Sequence, residues 1–249
     1  MATLDGKVAI VTGASKGIGA AIAEKLAEQG AATVVNYARS EAGANRLLER
    51  IKARGGRATA VKADVSRPAD IKRLFESTIS EFGKVDVVVN NAATYEFRPL
   101  ADIDEDHFDQ QFDLNVRGLL FVSQAAANAF GDRAGGSIVN ISSVVSLSPR
   151  ANGSVYSASK AAVDAITKSL SAELGPRNIL VNAVLPGATE TEGFAAMAGS
   201  AEMKPFAISQ TPLGRMGRPV DIANVVAFLA SDDAAWITGQ LIPVSGGFR

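Results

Sequence analysis

The sequence predicts an α/β protein: a Rossmann-type, doubly wound parallel sheet of about seven strands, with helices on both faces, in a single domain. Three observations carry that expectation. Short β-branched runs alternate with helix-period segments almost to the C-terminus, as in a chain of βα units. The first such run leads straight into a glycine-rich turn that opens a helix. No linker, internal repeat or low-complexity tract divides the 249 residues, a length that suits one domain with a large core. Right-handed crossovers between the strands then give the doubly wound arrangement.

The elements follow in order. Val8–Val11 reads as a buried strand. Ile18, Ile22 and Leu26 form an i, i+4, i+8 stripe on the first helix, which Gly30 closes. Thr33–Asn36 is the second strand, and Leu47, Leu48 and Ile51 mark a helix stopped by Gly55 and Gly56. Thr59–Val61 is a short third strand. Ile71, Leu74, Phe75, Ile79 and Phe82 make the next helical face, ended by Gly83. Val85–Val89 is the fourth strand, followed by one long helical region over roughly Asp104–Phe130. Ser137–Ile141, a helix over Ser154–Leu174 and Leu180–Val184 come next. Ile222, Val225, Val226 and Leu229 give a further helical face, and Leu241–Val244 a last strand. The stretch from Pro186 to Arg218 is punctuated by five glycines, and residues 187–218 are expected to form a substrate lid.

Composition narrows the function classes. Hydrophobic residues make up 47% and charged residues 20%, with a net charge of −1, so no concentrated positive field points to nucleic acid or a membrane surface. No apolar run approaches the ~18 residues of a membrane span, and Asp5 and the early Thr12-Gly13 do not read as a signal peptide. The chain has no cysteine, which removes thiol chemistry and fits a cytoplasmic protein. One histidine, His107, argues against a zinc site, and no metal is expected. With Glu105 and Asp106, His107 reads as part of a solvated helix start.

The glycine turn is Thr12-Gly13-Ala14-Ser15-Lys16-Gly17-Ile18-Gly19. Glycines admit a pyrophosphate close to the backbone, and the helix N-terminus behind them offers free N–H groups and partial positive charge. The spacing is Gly-x3-Gly-x-Gly, and a plain tight turn is the alternative reading. The second strand ends Asn36-Tyr37-Ala38-Arg39-Ser40, with no acid until Glu41 to meet a ribose 2′-hydroxyl. Lys16 and Arg39 near that point favour a 2′-phosphate, and hence NADP(H) over NAD(H).

These residues, with others downstream, resemble the short-chain dehydrogenase/reductase family over essentially the whole chain. Asn90-Asn91-Ala92 looks like its Asn-Asn-Ala-Gly motif, Asn115 matches its catalytic Asn, and Ser143 stands thirteen residues before Tyr156, as its Ser does. Tyr156-Ser157-Ala158-Ser159-Lys160 matches its Tyr-x-x-x-Lys signature, and Pro186-Gly187 with Thr191 looks like its nicotinamide-side loop. The pattern is similar to reductases that include 3-oxoacyl-carrier-protein reductase, tetrahydroxynaphthalene reductase and bacterial glucose dehydrogenase. Two departures stand out: Ala93 replaces the last glycine of the Asn-Asn-Ala-Gly motif, and Ser245-Gly246-Gly247 stands where many members have Asp-Gly-Gly.

The resemblance implies a catalytic set of Asn115, Ser143, Tyr156 and Lys160. It implies cofactor contacts from Gly13, Ser15, Lys16, Gly17, Ile18 and Gly19, from Tyr37, Arg39 and Ser40, and from Asp64 and Val65. Further contacts are expected from Asn91, Ala92 and Ala93, from Tyr156 and Lys160, and from Pro186, Gly187, Thr189 and Thr191. The expected activity is hydride transfer from NADPH to a ketone or 3-oxoacyl carbonyl. The alternatives are oxidation of an alcohol, sugar or steroid, and a dinucleotide-binding sensor without catalysis.

Residue chemistry supports such roles. Reduction of a carbonyl leaves charge on oxygen that a proton must meet, and a free tyrosine at pKa ~10 holds its proton too tightly for easy transfer. Lys160, one helical turn after Tyr156, is expected to lower that pKa. Ser143, after the fifth strand, is expected to hold the substrate oxygen. By resemblance, Asn115 holds a relay water. Thr94–Phe97, Val144–Arg150 and Glu192–Ile208 are expected to line the pocket, with Phe97, Leu147, Phe194, Met197 and Phe206 as an apolar wall for a bulky ketone. A homotetramer is expected, the helices near Asp104–Phe130 and Ser154–Leu174 forming one interface. In some members arginines dock an acidic acyl carrier protein; Arg177 matches one such position, whereas Ala134 fills the other beside Arg133, so that partner has little support.

Overall fold

The computed structural model describes residues 3–131, 135–196 and 200–248. Its strands are β1 (Val8–Val11), β2 (Ala32–Tyr37), β3 (Ala58–Lys62), β4 (Val87–Asn90), β5 (Gly136–Ile141), β6 (Ile179–Pro186) and β7 (Leu241–Val244). They form one sheet in the order β3-β2-β1-β4-β5-β6-β7, and every neighbouring pair is parallel. The helices are α1 (Gly17–Glu28), α2 (Glu41–Ala53), α3 (Pro68–Phe82), α4 (Glu105–Phe112), α5 (Leu119–Phe130), α6 (Ser154–Leu174), α7 (Glu192–Ala195), α8 (Ser200–Ser209) and α9 (Pro219–Ala230).

The continuous apolar strands reflect a sheet buried on both faces. Along β1, Ala9 and Val11 join one apolar cluster with Ile22 and Leu26 of α1 and Ile222 and Val226 of α9. Ile10, between them, joins the opposite cluster with Leu74 and Phe75 of α3 and Val122 and Phe130 of α5. β4 divides in the same way, with Val87 and Val89 on the first side and Val88 on the second. Burying such side chains is worth about 1.5–3 kcal/mol each, which offsets the cost of ordering the chain. Local signals set the helix ends: Pro68 opens α3, and Gly83 closes it in the left-handed region at φ 79°.

The long helical region expected over 104–130 runs without interruption from Glu105 to Phe130, with one feature the pattern does not foresee: a π-helical turn over Asp113–Gly118 between α4 and α5. Gly118 lies so close to the Val65 carbonyl that an added Cβ would stand 2.7 Å from its oxygen. The widened turn sits at this tight crossing and holds Asn115 at 1% exposure.

The segment from 187 to 218 leaves the C-terminal end of β6 and returns beside its own start. Thr189 and Gly217 form a parallel bridge; Gly217 N donates to the Ala188 carbonyl at 2.9 Å, and Glu190 N to that of Gly217 at 2.8 Å. The excursion is thus a closed loop carrying α7 and α8. Among the described residues no helix is long and apolar enough to cross a membrane.

Candidate active site

Parallel strands bring the turns after β1, β2, β3, β4, β5 and β6 to one edge of the sheet. The strand order reverses between β1 and β4, where doubly wound sheets bind their ligands. The glycine turn lies at that crevice. Its shape depends on polar side chains buried beneath it. Thr12 Oγ1 accepts the N–H groups of Asn91 and Ala92, both at 3.0 Å, and Asn91 Nδ2 donates to the Thr12 carbonyl at 2.8 Å. Asn36 Oδ1 accepts from Gly13 N at 3.1 Å, while its Nδ2 donates to the carbonyls of Val61 and Ala63. Two turn glycines are sterically required: a Cβ on Gly13 would meet the Ala92 backbone at 2.9 Å, and one on Gly19 would collide with the Asn91 amide.

This cradle fits the anionic diphosphate of a dinucleotide. The first turn of α1 has neither a capping side chain nor an acidic residue, so its N–H groups face the crevice. A carboxylate already uses the spot, since Gly17 N donates to Glu192 Oε2 of α7 at 3.1 Å. Ser15 and Ser40 meet over Gly43, where a Cβ would stand 2.6 Å from the Ser15 carbonyl oxygen and 2.7 Å from Ser40 Oγ. Lys16, Arg39 and Ser40 are exposed, Tyr37 is buried, and no ion pair among the described residues engages Lys16 or Arg39.

The remaining expected cofactor residues are placed as follows. Asp64 Oδ1 accepts from Ser66 Oγ at 2.7 Å, and Val65 is buried. Ala93 is exposed, so the methyl that departs from the family motif stands in the open. Gly187 passes within 2.8 Å, measured from a notional Cβ, of Ser245 Cα, which ties Pro186-Gly187 to the C-terminal departure. Thr189 turns its hydroxyl to the Gly187 carbonyl at 2.9 Å, and Thr191 caps α7 by accepting from Phe194 N at 3.0 Å.

The expected catalytic residues converge. Ser143 follows β5, and its hydroxyl hydrogen-bonds the Tyr156 phenol. Lys160 is 3% exposed; its Nζ donates to the Ile141 carbonyl at 2.8 Å and lies 5.8 Å from the Tyr156 ring centre. Asn115 Nδ2 donates to the Thr94 carbonyl at 2.8 Å and to Ser159 Oγ at 3.1 Å. Ser159 Oγ in turn donates to the Tyr156 carbonyl at 2.7 Å, linking Asn115 to the helix that carries the phenol.

The electrostatics correct one expectation. Tyr156 is pushed up to about 12, first by burial, with the nearby Tyr95 adding to the rise and the Ser143 hydrogen bond opposing it. Burial also takes Lys160 down to about 8, against the raising influence of Asp164 one turn on. The chain alone therefore holds a protonated phenol beside an easily deprotonated amine.

The pocket wall was partly legible. Phe97 meets the Tyr156 ring edge-on at 5.9 Å between centres. Tyr95, which no motif singles out, lies at the same 5.9 Å on a tilted plane. Arg150 places its guanidinium carbon 5.6 Å from the Phe206 ring centre and 4.8 Å from that of Phe248. Leu147 is largely exposed, and Phe194 lines a cavity of about 620 Å³ beside α1, with Gly17, Thr191 and Met216. Met197, Arg133 and Ala134 lie outside the described residues. His107 is a second correction: Glu105 and Asp106 are exposed, but His107 is buried at 2% exposure against the Glu96 carbonyl. Asp104 caps α4 by accepting His107 N at 2.7 Å, while the histidine side chain packs against the segment that carries Glu96.

Known proteins resemble the chain over nearly its whole length. Residues 13–249 match the family model described as enoyl-(acyl carrier protein) reductase. An uncharacterized oxidoreductase of Methylorubrum extorquens is 54% identical over 251 residues, covering 100% of both chains. Versicolorin reductase 1 of Aspergillus parasiticus is 42% identical, over 98% of this chain and 97% of its own. A solved 7α-hydroxysteroid dehydrogenase, complexed with NADH and 7-oxo glycochenodeoxycholic acid, is 36% identical with a TM-score of 0.94, covering 99% of this chain and 96% of its own.

Proposed function

The chain belongs to the short-chain dehydrogenase/reductase family, whose members are oxidoreductases acting on carbonyl and alcohol groups, and from that premise we propose that it reduces a ketone or 3-oxoacyl carbonyl with NADPH, Tyr156 giving the proton. The observation that carries the reading is the convergence of Ser143, Tyr156 and Lys160 at the crevice edge, on the side of the sheet that holds the glycine cradle.

Gly13, Ser15, Gly17, Ile18 and Gly19, with Asn91, Ala92, Pro186, Gly187, Thr189 and Thr191, would hold the dinucleotide, and Tyr37, Asp64, Val65 and Ala93 its adenosine side. A reduced nicotinamide supplies a hydride when bound. The chain supplies position and a proton. Ser143 donates a hydrogen bond to the carbonyl oxygen and steadies the charge that grows there. Tyr156 passes its phenolic proton to that oxygen, and the ammonium of Lys160 stabilises the phenolate left behind. Asn115, buried against Thr94 and Ser159, anchors the relay side of the site.

NADP(H) is favoured because Arg39 stands exposed just past β2 and Lys16 exposed in the glycine turn, with no acid before Glu41 to meet a ribose 2′-hydroxyl. The excursion over 187–218 serves as the substrate lid, its two ends tied at Thr189 and Gly217. A homotetramer is supported by the exposed Phe108, stacked on Phe112 at 4.3 Å, and by the exposed Leu120. Arg177 donates to the carbonyls of Ala127 at 2.6 Å and Gly131 at 3.2 Å, so it caps α5 rather than standing free for an acidic carrier protein. A single cytoplasmic domain with a small-molecule substrate fits this picture. The steroid-dehydrogenase neighbour favours, as second reading, the oxidative direction through the same residues. A screen of both cofactors with aryl ketones, 3-oxoacyl thioesters and the matching alcohols tests the reading. Cofactor binding with no turnover in either direction would leave the sensor alternative instead.

A further inference from the structure

The helix before and through the π-helical turn presents three buried side chains at intervals of four residues: His107, Gln111 and Asn115. All three meet the backbone of one extended segment. Asn115 brackets Thr94, with Oδ1 accepting its N–H and Nδ2 donating to its carbonyl, both at 2.8 Å. Gln111 brackets Glu96 in the same way, Nε2 donating to the carbonyl at 3.2 Å and Oε1 accepting the N–H at 3.4 Å. His107 Nε2 stands 3.1 Å from the Glu96 carbonyl and 2.9 Å from Gln111 Nε2. With its proton on Nδ1 it accepts from Gln111; with its proton on Nε2 it donates to Glu96. The first tautomer is the one that braces the amide, since an Nε2 proton would face the amide N–H donor at 2.9 Å.

An amide that both gives to and takes from one residue's backbone does the work of a neighbouring strand. Holding alternate residues Thr94 and Glu96 favours a twofold alternation, in which the side chain between them and the one that follows project the other way. Those side chains are Tyr95 and Phe97, and both rings stand 5.9 Å from the ring of Tyr156. We infer that Gln111, braced by His107, is a positioning residue that sets the Tyr95–Phe97 wall against Tyr156 and so determines how wide a ketone the pocket accepts. The inference rests on the carbonyl-reductase reading. It assigns a role to two residues that touch neither substrate nor cofactor. Bulky aryl ketones, which need the wall, depend on it; small alkyl ketones do not.

The test compares wild type with Gln111→Met, which keeps length and volume but loses both hydrogen bonds, using NADPH with 1-tetralone and with butanone. KM for 1-tetralone is expected to rise about five- to tenfold, while KM for butanone moves less than about twofold. A second measurement needs no turnover. The chain has three tyrosines, so ¹³C-tyrosine labelling gives signals for Tyr37, Tyr95 and Tyr156. Those of Tyr95 and Tyr156 are expected to shift in the variant, while that of Tyr37 stays. Unmoved Tyr95 and Tyr156 signals, or an equal loss for both ketones, would overturn the inference. Wild type that oxidises no NADPH with these or any other ketone or 3-oxoacyl thioester refutes the functional reading instead, and the tyrosine signals still decide the positioning role. If Gln111→Met does not fold, His107→Phe gives the same two readings.

Discussion

Tyr156 is poised by opposing effects on one proton. Burial holds the phenol protonated up to about 12, and the same burial lets Lys160 lose its charge near about 8. The sign follows. Reduction needs phenol and ammonium together, and that pair exists below about 8. The rate constant kcat/KM for ketone reduction is therefore expected to be flat through neutrality and to fall as pH rises past about 8, which a pH–rate profile of free enzyme checks. A profile that climbs above that point would mean the amine acts uncharged. Ser143→Ala should lower kcat about 10²- to 10³-fold while leaving NADPH affinity unchanged, as fluorescence titration would show. The match to the family's motifs made the convergence of these residues legible: Ser143, Tyr156 and Lys160 sit at its offsets around one strand end and one helix. The direction of the tyrosine shift was not, because it depends on how much protein surrounds the phenol. His107 was misread for a related reason. Its acidic neighbours mark a helix start correctly, but nothing local reveals that the segment over 94–96 covers it.

At the level of elements, strands were the most readable features: β1, buried along its length, demands an unbroken apolar run, and β1 and the edge strand β7 both have the predicted bounds. The π-helical turn has no signal in the local pattern; it coincides with a close approach between Gly118 and the carbonyl of Val65, far apart in sequence. Helix ends make their own predictions. At the start of α9, Asp221 accepts Arg218 N at 2.7 Å and pairs with Arg215 at 2.7 Å, so the end of the excursion is fastened to the helix. Arg215 chiefly, with the Arg218 backbone and charge, holds the Asp221 carboxyl down to about 2 despite partial burial. A depressed carboxylate stabilises the fold above its unfolded pKa and stops doing so as pH falls through the folded value. Asp221→Asn is thus expected to cost about 1–2 kcal/mol at neutral pH, a difference that shrinks from about pH 4 and vanishes near pH 2. Urea melts across that range measure it, and a constant difference would assign the loss to packing rather than charge.

In the proposed account, the molecule as a whole joins the glycine cradle after β1 to Ser143, Tyr156 and Lys160 beside β5, and the loop over 187–218 leaves the same end of the sheet after β6. Charge at the cradle sets the choice of cofactor. Arg39→Ala is expected to reduce kcat/KM with NADPH about tenfold and leave that with NADH within about twofold, so the ratio of the two decides the assignment. Equal losses would place Arg39 outside the 2′-phosphate site. The overall reading turns on whether the buried phenol serves chemistry or only packing. The most direct measurement follows NADPH absorbance with an aryl ketone for wild type and for Tyr156→Phe, with NADPH binding by both recorded alongside. The account predicts steady ketone-dependent oxidation by wild type, a loss of about 10²- to 10⁴-fold in the variant, and unchanged binding. Full activity in Tyr156→Phe, or NADPH binding by wild type with no oxidation by any ketone, would contradict it.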